Sequence, residues 1–319
     1  MGSARSSDVH RIPCPLACGA TENYISLLFY IRMQKIDFSK IYSYSKLELF
    51  KKCKKQYHFS YLDPEIAPIK KQFYKPRDYK TKGNAVHGAI TLFYHLPKKK
   101  RTFEGIKKCL EKAWFSEADA TKAPPLGKLG GFLDLEHERR VYGDSLRQLN
   151  NLLKIEKNPS LFYMPTENIW ESFSDYEEMI KPLDEGVMIS GKFDRIDRLE
   201  DGSLRIIDFK TGKENGSFFQ LEFYKILTEM NFSDKVSQVS FYYLDSGKVK
   251  NFDADKIDSS EIKNRILEKI DVVNKTEKFF PTQTRLCDHC DFQEICPAFA
   301  KTSSFAKSSA DKLAEKAYF

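Results

Sequence analysis

The stretch that decides the fold is GKFDRIDRLEDGSLRIIDFKTGK, which spans residues 191–213. Its two halves are rich in residues that favour strands, and the turn-forming sequence Glu200-Asp201-Gly202 separates them, so it predicts a β-hairpin. The hairpin would place Asp194, at the end of the first strand, alongside Asp208 on the second strand. Because side chains alternate between the two faces of a strand, Asp208 and Lys210 should project from the same side.

Two carboxylates and an ammonium group at one end of a hairpin indicate a particular chemistry. Hard carboxylate oxygens bind divalent cations such as Mg²⁺ or Mn²⁺. A lysine beside them can orient an attacking water molecule or stabilise negative charge that develops at phosphorus. The alternative is an exposed hairpin whose charges simply pair with one another, and the spacing alone leaves both interpretations open.

The segments around the hairpin predict further helices and one more strand. Helical patterns cover residues 46–62, 83–95, the end of 96–114, 134–157, 216–230 and 258–278, and a strand pattern covers 236–247. This order predicts a mixed α/β domain with a helical N-terminal part. The basic run Lys98–Arg101 is typical of a solvated loop, with a nuclear-import signal as the alternative.

Cys287, Cys290 and Cys296 form a C-x2-C-x5-C pattern near the C-terminus. Three thiols this close in a reducing compartment indicate a metal centre rather than a disulfide. Zinc and iron–sulfur clusters usually take four protein ligands, so one is missing from this segment. His289 is one candidate for zinc, although its place between two ligands is awkward. Of the other four cysteines, those at positions 14, 18 and 109 fall outside the pattern, and the C-x3-C pair at 14 and 18 is predicted to be free thiols, with metal binding as the alternative.

Composition excludes several classes of protein. The chain has 319 residues, a mass of 37.1 kDa, a net charge of +7 and seven cysteines. No apolar run reaches the ~18 residues that a membrane-spanning helix needs, and the cysteines are too few for a small disulfide scaffold. The mild basic excess suits a polyanionic partner, and the cysteine usage suits the cytoplasm.

The two ends of the chain differ from its middle in composition and in hydrophobic pattern. Residues 1–32 are predicted to be a disordered extension, or the product of a start codon assigned too early, with Met33 as the native start. Residues 33–300 are predicted to form one domain, and residues 301–319 a polar tail. We therefore expect one large domain rather than two.

The hairpin also resembles a known signature. GKFDRID followed by IIDFKTGK resembles the PD-(D/E)XK nuclease superfamily in its RecB-like branch, and two further motifs match in order. Gly83 and His87 match a GxxxH helix, and Gln220 and Tyr224 match a QxxxY helix. The resemblance implies a restriction-endonuclease-like core, in which a central mixed sheet is flanked by helices. A histidine packed into the core remains the alternative for His87 on its own.

The resemblance also implies a role for each matching residue. A divalent cation, Mg²⁺ or Mn²⁺, would be held by His87, Asp194, Asp208 and the backbone carbonyl of Phe209. Lys210 would be catalytic, and Gln220 and Tyr224 would lie near the scissile phosphate. The branch usually carries a glutamate before this hairpin, and Glu171 fits best among Glu167, Glu171, Glu177 and Glu178.

The segment SKLELFKKCKKQYHFSYL, residues 45–62, resembles the start of RecB-like nucleases that carry an iron–sulfur cluster. These include CRISPR-associated single-strand exonucleases and helicase-linked repair nucleases. The resemblance implies that Cys53 joins Cys287, Cys290 and Cys296 around a four-iron four-sulfur cluster, with Zn²⁺ as the alternative. Lys54 departs from the proline that is common at this place, and a buried, non-ligating Cys53 is the simpler alternative.

The expected function follows from these motifs together. The resemblance implies a metal-dependent DNA nuclease, an exonuclease acting on single strands or DNA ends, in DNA repair and recombination or in CRISPR spacer acquisition. The sequence contains no GxxxxGK[ST] phosphate loop, so a helicase or a CRISPR integration protein would have to act as its partner. The alternative is a non-catalytic DNA-binding subunit of a helicase–nuclease complex that a metal cluster stabilises.

Overall fold

The computed structural model describes residues 40–116, 126–156, 159–165 and 179–299. The predicted prefix 1–32, the predicted tail 301–319 and Glu171 lie outside the described residues. The α-helices of the described part are α1 (Tyr44–Lys52), α2 (Lys54–Tyr61), α3 (Asp78–His95), α4 (Phe103–Ser116), α5 (Leu135–Ile155), α6 (Phe218–Asn231) and α7 (Ser259–Asn274). Its strands are β1 (Ile41–Tyr42), β2 (Leu161–Tyr163), β3 (Ile180–Asp184), β4 (Val187–Ser190), β5 (Arg195–Arg198), β6 (Leu204–Lys210), β7 (Val236–Tyr243) and β8 (Lys248–Asp253).

The described strands form two sheets. The larger sheet has the order β2-β5-β6-β7-β8, in which β6 and β7 run parallel and the other neighbours run antiparallel. The smaller sheet has the order β1-β4-β3, with β1 parallel to β4. The predicted mixed α/β class with a restriction-endonuclease-like core is therefore confirmed.

Helices cover both faces of the larger sheet because its central strand is apolar on both sides. Ile206 of β6 packs in one core with Phe223 of α6 and Ile266 of α7. Its neighbour Ile207 points to the opposite face and packs in a second core with helices α3, α4 and α5. The sheet is thus the middle layer, and the two ends of its strands lie between two helical layers.

The predicted helix over residues 46–62 is interrupted at Cys53. Helix α1 ends at Lys52 and α2 begins at Lys54, because Cys53 adopts an extended conformation with φ −159° and ψ 109°. Its N–H donates to the carbonyl of Leu49, and its sulfur accepts a hydrogen bond from the N–H of Gln56 at 3.5 Å. Cys53 therefore ends one helix and caps the next.

The first strand of the predicted hairpin is also divided. Residues 187–190 belong to the smaller sheet and residues 195–198 to the larger one, so Asp194 precedes β5 rather than ending a strand. The chain crosses between the sheets at Gly191, where a Cβ atom would lie only 2.7 Å from a methyl carbon of Leu227. The turn itself is as predicted, with Gly202 at φ +85° between β5 and β6.

Two smaller boundaries differ from prediction. Helix α3 begins at Asp78, five residues before Gly83, and the carboxylate of Asp78 suits the positive end of the helix dipole. The segment before α5, which carries no helical or strand pattern, contains a short 3₁₀ turn at Gly127–Gly130. None of the helices in the part of the chain that the structure describes is both long and apolar enough to span a bilayer.

Candidate active site

The predicted catalytic residues converge at one end of strands β5 and β6. Helix α3 brings His87 from one helical layer, and helix α6 brings Gln220 and Tyr224 from the other. The residues brought together are His87, Asp194, Asp208, Lys210, Gln220 and Tyr224. The site therefore forms where both layers meet the sheet.

The register of the hairpin places the two aspartates side by side. Arg195 pairs with Ile207, so Asp194 lies opposite Asp208 just beyond the last pair. The backbone N–H of Phe209 donates to Oδ2 of Asp194 at 2.8 Å, which fixes the carboxylate across the hairpin. The carbonyl of Phe209 as a cation ligand stays a prediction.

His87 and Asp194 form a close pair, with Nδ1 2.9 Å from Oδ1. Burial disfavours the charged form of each group, but their mutual attraction outweighs it. The pKa of His87 is therefore raised, and the pKa of Asp194 is lowered, with the N–H of Phe209 acting in the same direction on Asp194. The pair favours an imidazolium next to a carboxylate.

Asp208, Lys210 and Gln220 form a closed triangle of contacts. Nζ of Lys210 lies 2.7 Å from Oδ2 of Asp208 and donates to Oε1 of Gln220 at 2.7 Å. Nε2 of Gln220 donates back to Oδ1 of Asp208 at 2.7 Å. Because the glutamine bonds both partners, the amine of Lys210 is held at a defined position beside the carboxylate.

The electrostatics of Asp208 differ from those of Asp194. Asp208 is only 3% exposed, and burial together with the nearby charge of Asp194 raises its pKa to about 6, although Lys210 acts in the opposite direction. The hydroxyl of Tyr224 accepts a hydrogen bond from Nε2 of Gln220 at 3.4 Å. Burial and the two carboxylates raise the pKa of Tyr224, so its hydroxyl stays protonated.

The donor set suits a divalent cation, although it is not arranged around one. Within the described ranges, no group of three or more His, Cys, Asp or Glu side chains adopts the geometry of a metal site. Oδ2 of Asp208 is buried and, despite its proximity to Lys210, has no hydrogen bond of acceptable geometry. A buried carboxylate oxygen without a hydrogen bond, next to a second carboxylate and an imidazole, belongs to a set of donor atoms that Mg²⁺ or Mn²⁺ can bind. His87 and Asp194 would exchange their mutual contact for the cation.

The four cysteines of the predicted cluster lie around a separate cavity. Cys53 and the C-terminal trio Cys287, Cys290 and Cys296 line one space of about 170 Å³, and none of the four forms a disulfide. Burial raises the pKa of the Cys290 thiol, and the neighbouring Cys53 and Cys296 act in the same direction. The ring of His289 does not line this cavity and packs 6.2 Å from the ring of Tyr79, which disfavours His289 as a ligand.

Backbone N–H groups point at two of the cysteine sulfurs. Sγ of Cys53 accepts hydrogen bonds from Gln56 and Thr282, each at 3.5 Å, and Sγ of Cys287 accepts one from Thr284 at 3.4 Å. Hydrogen bonds of this kind stabilise thiolates and tune the metal centres that thiolates bind. The chemistry of these residues therefore fits a thiolate-bound metal group.

A model of one protein family matches nearly the whole described chain. The PD-(D/E)XK nuclease superfamily model covers residues 41–297, from β1 to the last cysteine of the trio. The chain belongs to the PD-(D/E)XK nuclease superfamily. Membership implies that it hydrolyses phosphodiester bonds of a nucleic acid.

Other comparisons add little to this nuclease assignment. A search of curated protein sequences finds no significant match. Among solved structures, the crystal structure of SSO0001 is similar at 14% identity with a TM-score of 0.35, and the match covers 87% of this chain and 96% of that chain. At that TM-score, the likeness carries no argument about function.

Sequence reasoning missed a buried ion network beneath the nuclease hairpin. The guanidinium of Arg195, which is fully buried, donates to both carboxylate oxygens of Glu156 and to Asp197. Arg205 also donates to Asp197 at 2.9 Å, and the hydroxyl of Tyr242 donates to Glu156 at 2.7 Å. The available signal was the pair of charges at Arg195 and Asp197, which alternate on the buried face of a strand.

Proposed function

We propose that this chain is a Mg²⁺- or Mn²⁺-dependent deoxyribonuclease. The observation that carries the proposal is the contact set in which Lys210 is held between Asp208 and Gln220 while Asp194 faces His87. A decayed nuclease would have no reason to retain a buried carboxylate with a pKa near 6, because the charge of that carboxylate costs stability.

Each side chain has a distinct task in hydrolysis. A divalent cation held by His87, Asp194, Asp208 and the Phe209 carbonyl would polarise the phosphate and supply a water of lowered pKa. The ammonium of Lys210 orients the attacking water or stabilises the charge that builds on phosphorus. Gln220 fixes the position of that ammonium.

Tyr224 completes the support of the catalytic lysine. Its hydroxyl holds the amide of Gln220 on the side away from Lys210, so that the amide presents its oxygen to the ammonium. The two residues lie one turn apart on α6 and act as a unit.

We also propose the RecB-like branch with a four-iron four-sulfur cluster bound by Cys53, Cys287, Cys290 and Cys296. All four cysteines line one cavity and none of them forms a disulfide, which supports a metal group that the four thiols share. Such a cluster joins a residue before the catalytic core to three residues after it and stabilises the fold.

The substrate and setting follow from the same proposal. We infer an exonuclease that acts on single strands or DNA ends in the cytoplasm, in DNA repair and recombination or in CRISPR spacer acquisition. The basic segments Lys51–Lys55 and Lys98–Arg101 would attract DNA phosphates without sequence preference, an attraction that weakens with salt. A helicase partner would unwind the DNA, or a CRISPR integration protein would take up the DNA product.

The test is cleavage of single- and double-stranded DNA with Mg²⁺ or Mn²⁺ by the wild type and by Lys210→Ala. The substitution should reduce cleavage by at least about 100-fold, because it removes the charge beside the reacting phosphate. Lys213→Ala, an exposed lysine three residues away, is the matched control and should cleave normally. Cleavage by Lys210→Ala at the wild-type rate would refute the catalytic assignment.

Two further outcomes separate the alternatives. Salt-dependent DNA binding without cleavage under either cation would favour a non-catalytic subunit of a helicase–nuclease complex. Protein purified without oxygen should be brown, with broad absorbance near ~400 nm, if the four thiolates hold an iron–sulfur cluster. Colourless protein with one zinc per chain would show that the cysteines bind Zn²⁺ instead.

A further inference from the structure

A second cavity adjoins the pair formed by His87 and Asp194. It has a volume of about 190 Å³ and lies on the α3 side of the site, away from Gln220 and Tyr224. The residues that line it are Asn84, His87, Ile90, Thr91, Met164, Pro165, Lys192, Phe193, Asp194 and Phe209. Since three residues proposed to hold the cation, His87, Asp194 and Phe209, form part of its wall, any group inside it would lie next to the bond that is cleaved.

The wall of this cavity is mostly apolar and is fixed by the core. Phe193 and Phe209 are 1% and 2% exposed, and Ile90 is fully buried. Asn84, His87 and Thr91 follow one another at about one helical turn along α3, so an amide and a hydroxyl flank the imidazole on one helix face. A mostly apolar cavity with a few polar groups is typical of a site for a small ligand.

The volume limits what fits. A protein cavity of about 150 Å³ accommodates benzene, whereas pockets for drug-sized ligands span about 300–1,000 Å³. A space of about 190 Å³ therefore accepts one substituted six-membered ring and excludes a base pair. A purine, with its second ring, is a tight fit.

We propose that this cavity receives one unpaired pyrimidine base of the substrate, from the nucleotide that adjoins the cleaved phosphodiester. The inference rests on the proposed nuclease function and adds to it a substrate requirement, because a base can enter only after it has left its pair. The half-buried side chain of Met164 would contact the ring, and the amide group of Asn84 can both donate to and accept from the polar edge of a pyrimidine. The neighbouring backbone phosphate would then lie beside Lys192, which is exposed at the rim.

The test uses oligothymidylate strands with a single altered nucleotide at a central position. The altered position carries thymine, adenine or an abasic sugar, and a denaturing gel resolves cleavage at each bond. Cleavage at the bond adjoining the abasic sugar should be about tenfold slower than at the same bond next to thymine, since contact with a base is worth about that factor. Adenine should give an intermediate rate. The other bonds of the same strand are internal controls, and the design works for exonuclease and endonuclease action alike.

Variants of Met164 test the size of the cavity in both directions. Met164→Ala enlarges the cavity and should make the cleavage rate next to adenine equal to the cleavage rate next to thymine. Met164→Phe fills it and should remove the advantage of thymine over the abasic sugar. Met230→Phe, at a half-buried methionine that packs in the other core, is the matched control and should keep the wild-type ratios. Melting temperatures confirm that each variant is folded.

A binding measurement separates this inference from the proposed function. The Lys210→Ala protein, without divalent cation, should bind the thymine strand several-fold more tightly than a strand in which every base is absent. Equal cleavage by the wild type next to thymine, adenine and the abasic sugar would overturn the base cavity and leave the nuclease standing. If no strand is cleaved, the proposed function fails, and equal binding of the two strands would then overturn the cavity as well.

Discussion

The active site and the cysteine cavity differ in what holds their side chains in place. The active-site residues bond one another: Lys210 contacts both Asp208 and Gln220 at 2.7 Å. Among the described residues, the cysteine sulfurs accept hydrogen bonds from backbone N–H groups, as Cys53 does from Thr282, 229 residues along the chain. The first site is organised by its own contacts, whereas the second surrounds a space that a bound group would fill. We therefore expect the first to cost stability and the second to supply it.

Asp208→Asn should have the largest effect, and it tests whether the active site lowers the stability of the protein. Cleavage should fall by more than about 1,000-fold, because the proposed cation ligand and the partner of Lys210 are lost together. Without divalent cations, the same variant should be more stable than the wild type at pH 8. The pKa of Asp208 is raised from 3.8 to about 6 in the folded protein, so its ionisation costs up to about 3 kcal/mol of the free energy of unfolding.

The pH dependence gives the sign of this effect. The stabilising contribution of protonated Asp208 is fully present below pH 3.8 and is lost as the pH rises through about 6. The stability gain from Asp208→Asn should therefore grow between pH 4 and pH 6 and level off above. Urea unfolding at a series of pH values measures it, and a gain that is constant over this range would contradict the raised pKa.

Cys53→Ala should have the opposite pattern. It removes the proposed ligand that would close the loop across the core. If the cluster is bound, protein purified without oxygen should lose its brown colour and about 3–5 kcal/mol of unfolding free energy, by analogy with a long-range cross-link. Cys109→Ala, at a buried cysteine outside the cavity, is the matched control and should keep the colour. Retention of full absorbance by Cys53→Ala would remove Cys53 from the ligand set.

The spacing of the sequence predicted which side chains lie together better than it predicted the path of the chain around them. Asp208 and Lys210 share a face because strand side chains alternate, and Gln220 and Tyr224 share one because they are a helical turn apart. These relations are local, so spacing is enough to find them. The interruption at Cys53 and the crossing at Gly191 depend instead on what packs against them from distant parts of the chain.

The buried network was beyond prediction for the same reason. Arg195 and Glu156 are 39 residues apart, and no pattern in the sequence around either residue predicts that the two are in contact. Their pairing follows from where α5 ends relative to β5, which the packing of the whole helical layer decides. The candidate Glu171 lies outside the described residues and stays a prediction.

The smallest expected effect concerns how the cysteine segment is attached to the rest of the chain. Asp291 lies 2.7 Å from the guanidinium of Arg77, whose side chain is 8% exposed, and accepts a hydrogen bond from the N–H of Lys75. Arg77 immediately precedes α3, the helix that carries His87, and also donates to the carbonyl of His289. Phe292 adds an apolar contact with Phe59. These contacts would hold the segment even when no metal group is bound.

Asp291→Asn should weaken that attachment by about 1–3 kcal/mol, because it leaves a buried guanidinium without its ionic partner. In protein stripped of its metal group, backbone amides of residues 285–299 should exchange with deuterium faster than in the wild type. Asp288→Asn, at an exposed aspartate in the same segment, should leave exchange unchanged. Equal exchange in both variants would mean that the segment relies on its bound group alone, which would sharpen the contrast between the cysteine cavity and the self-supporting active site.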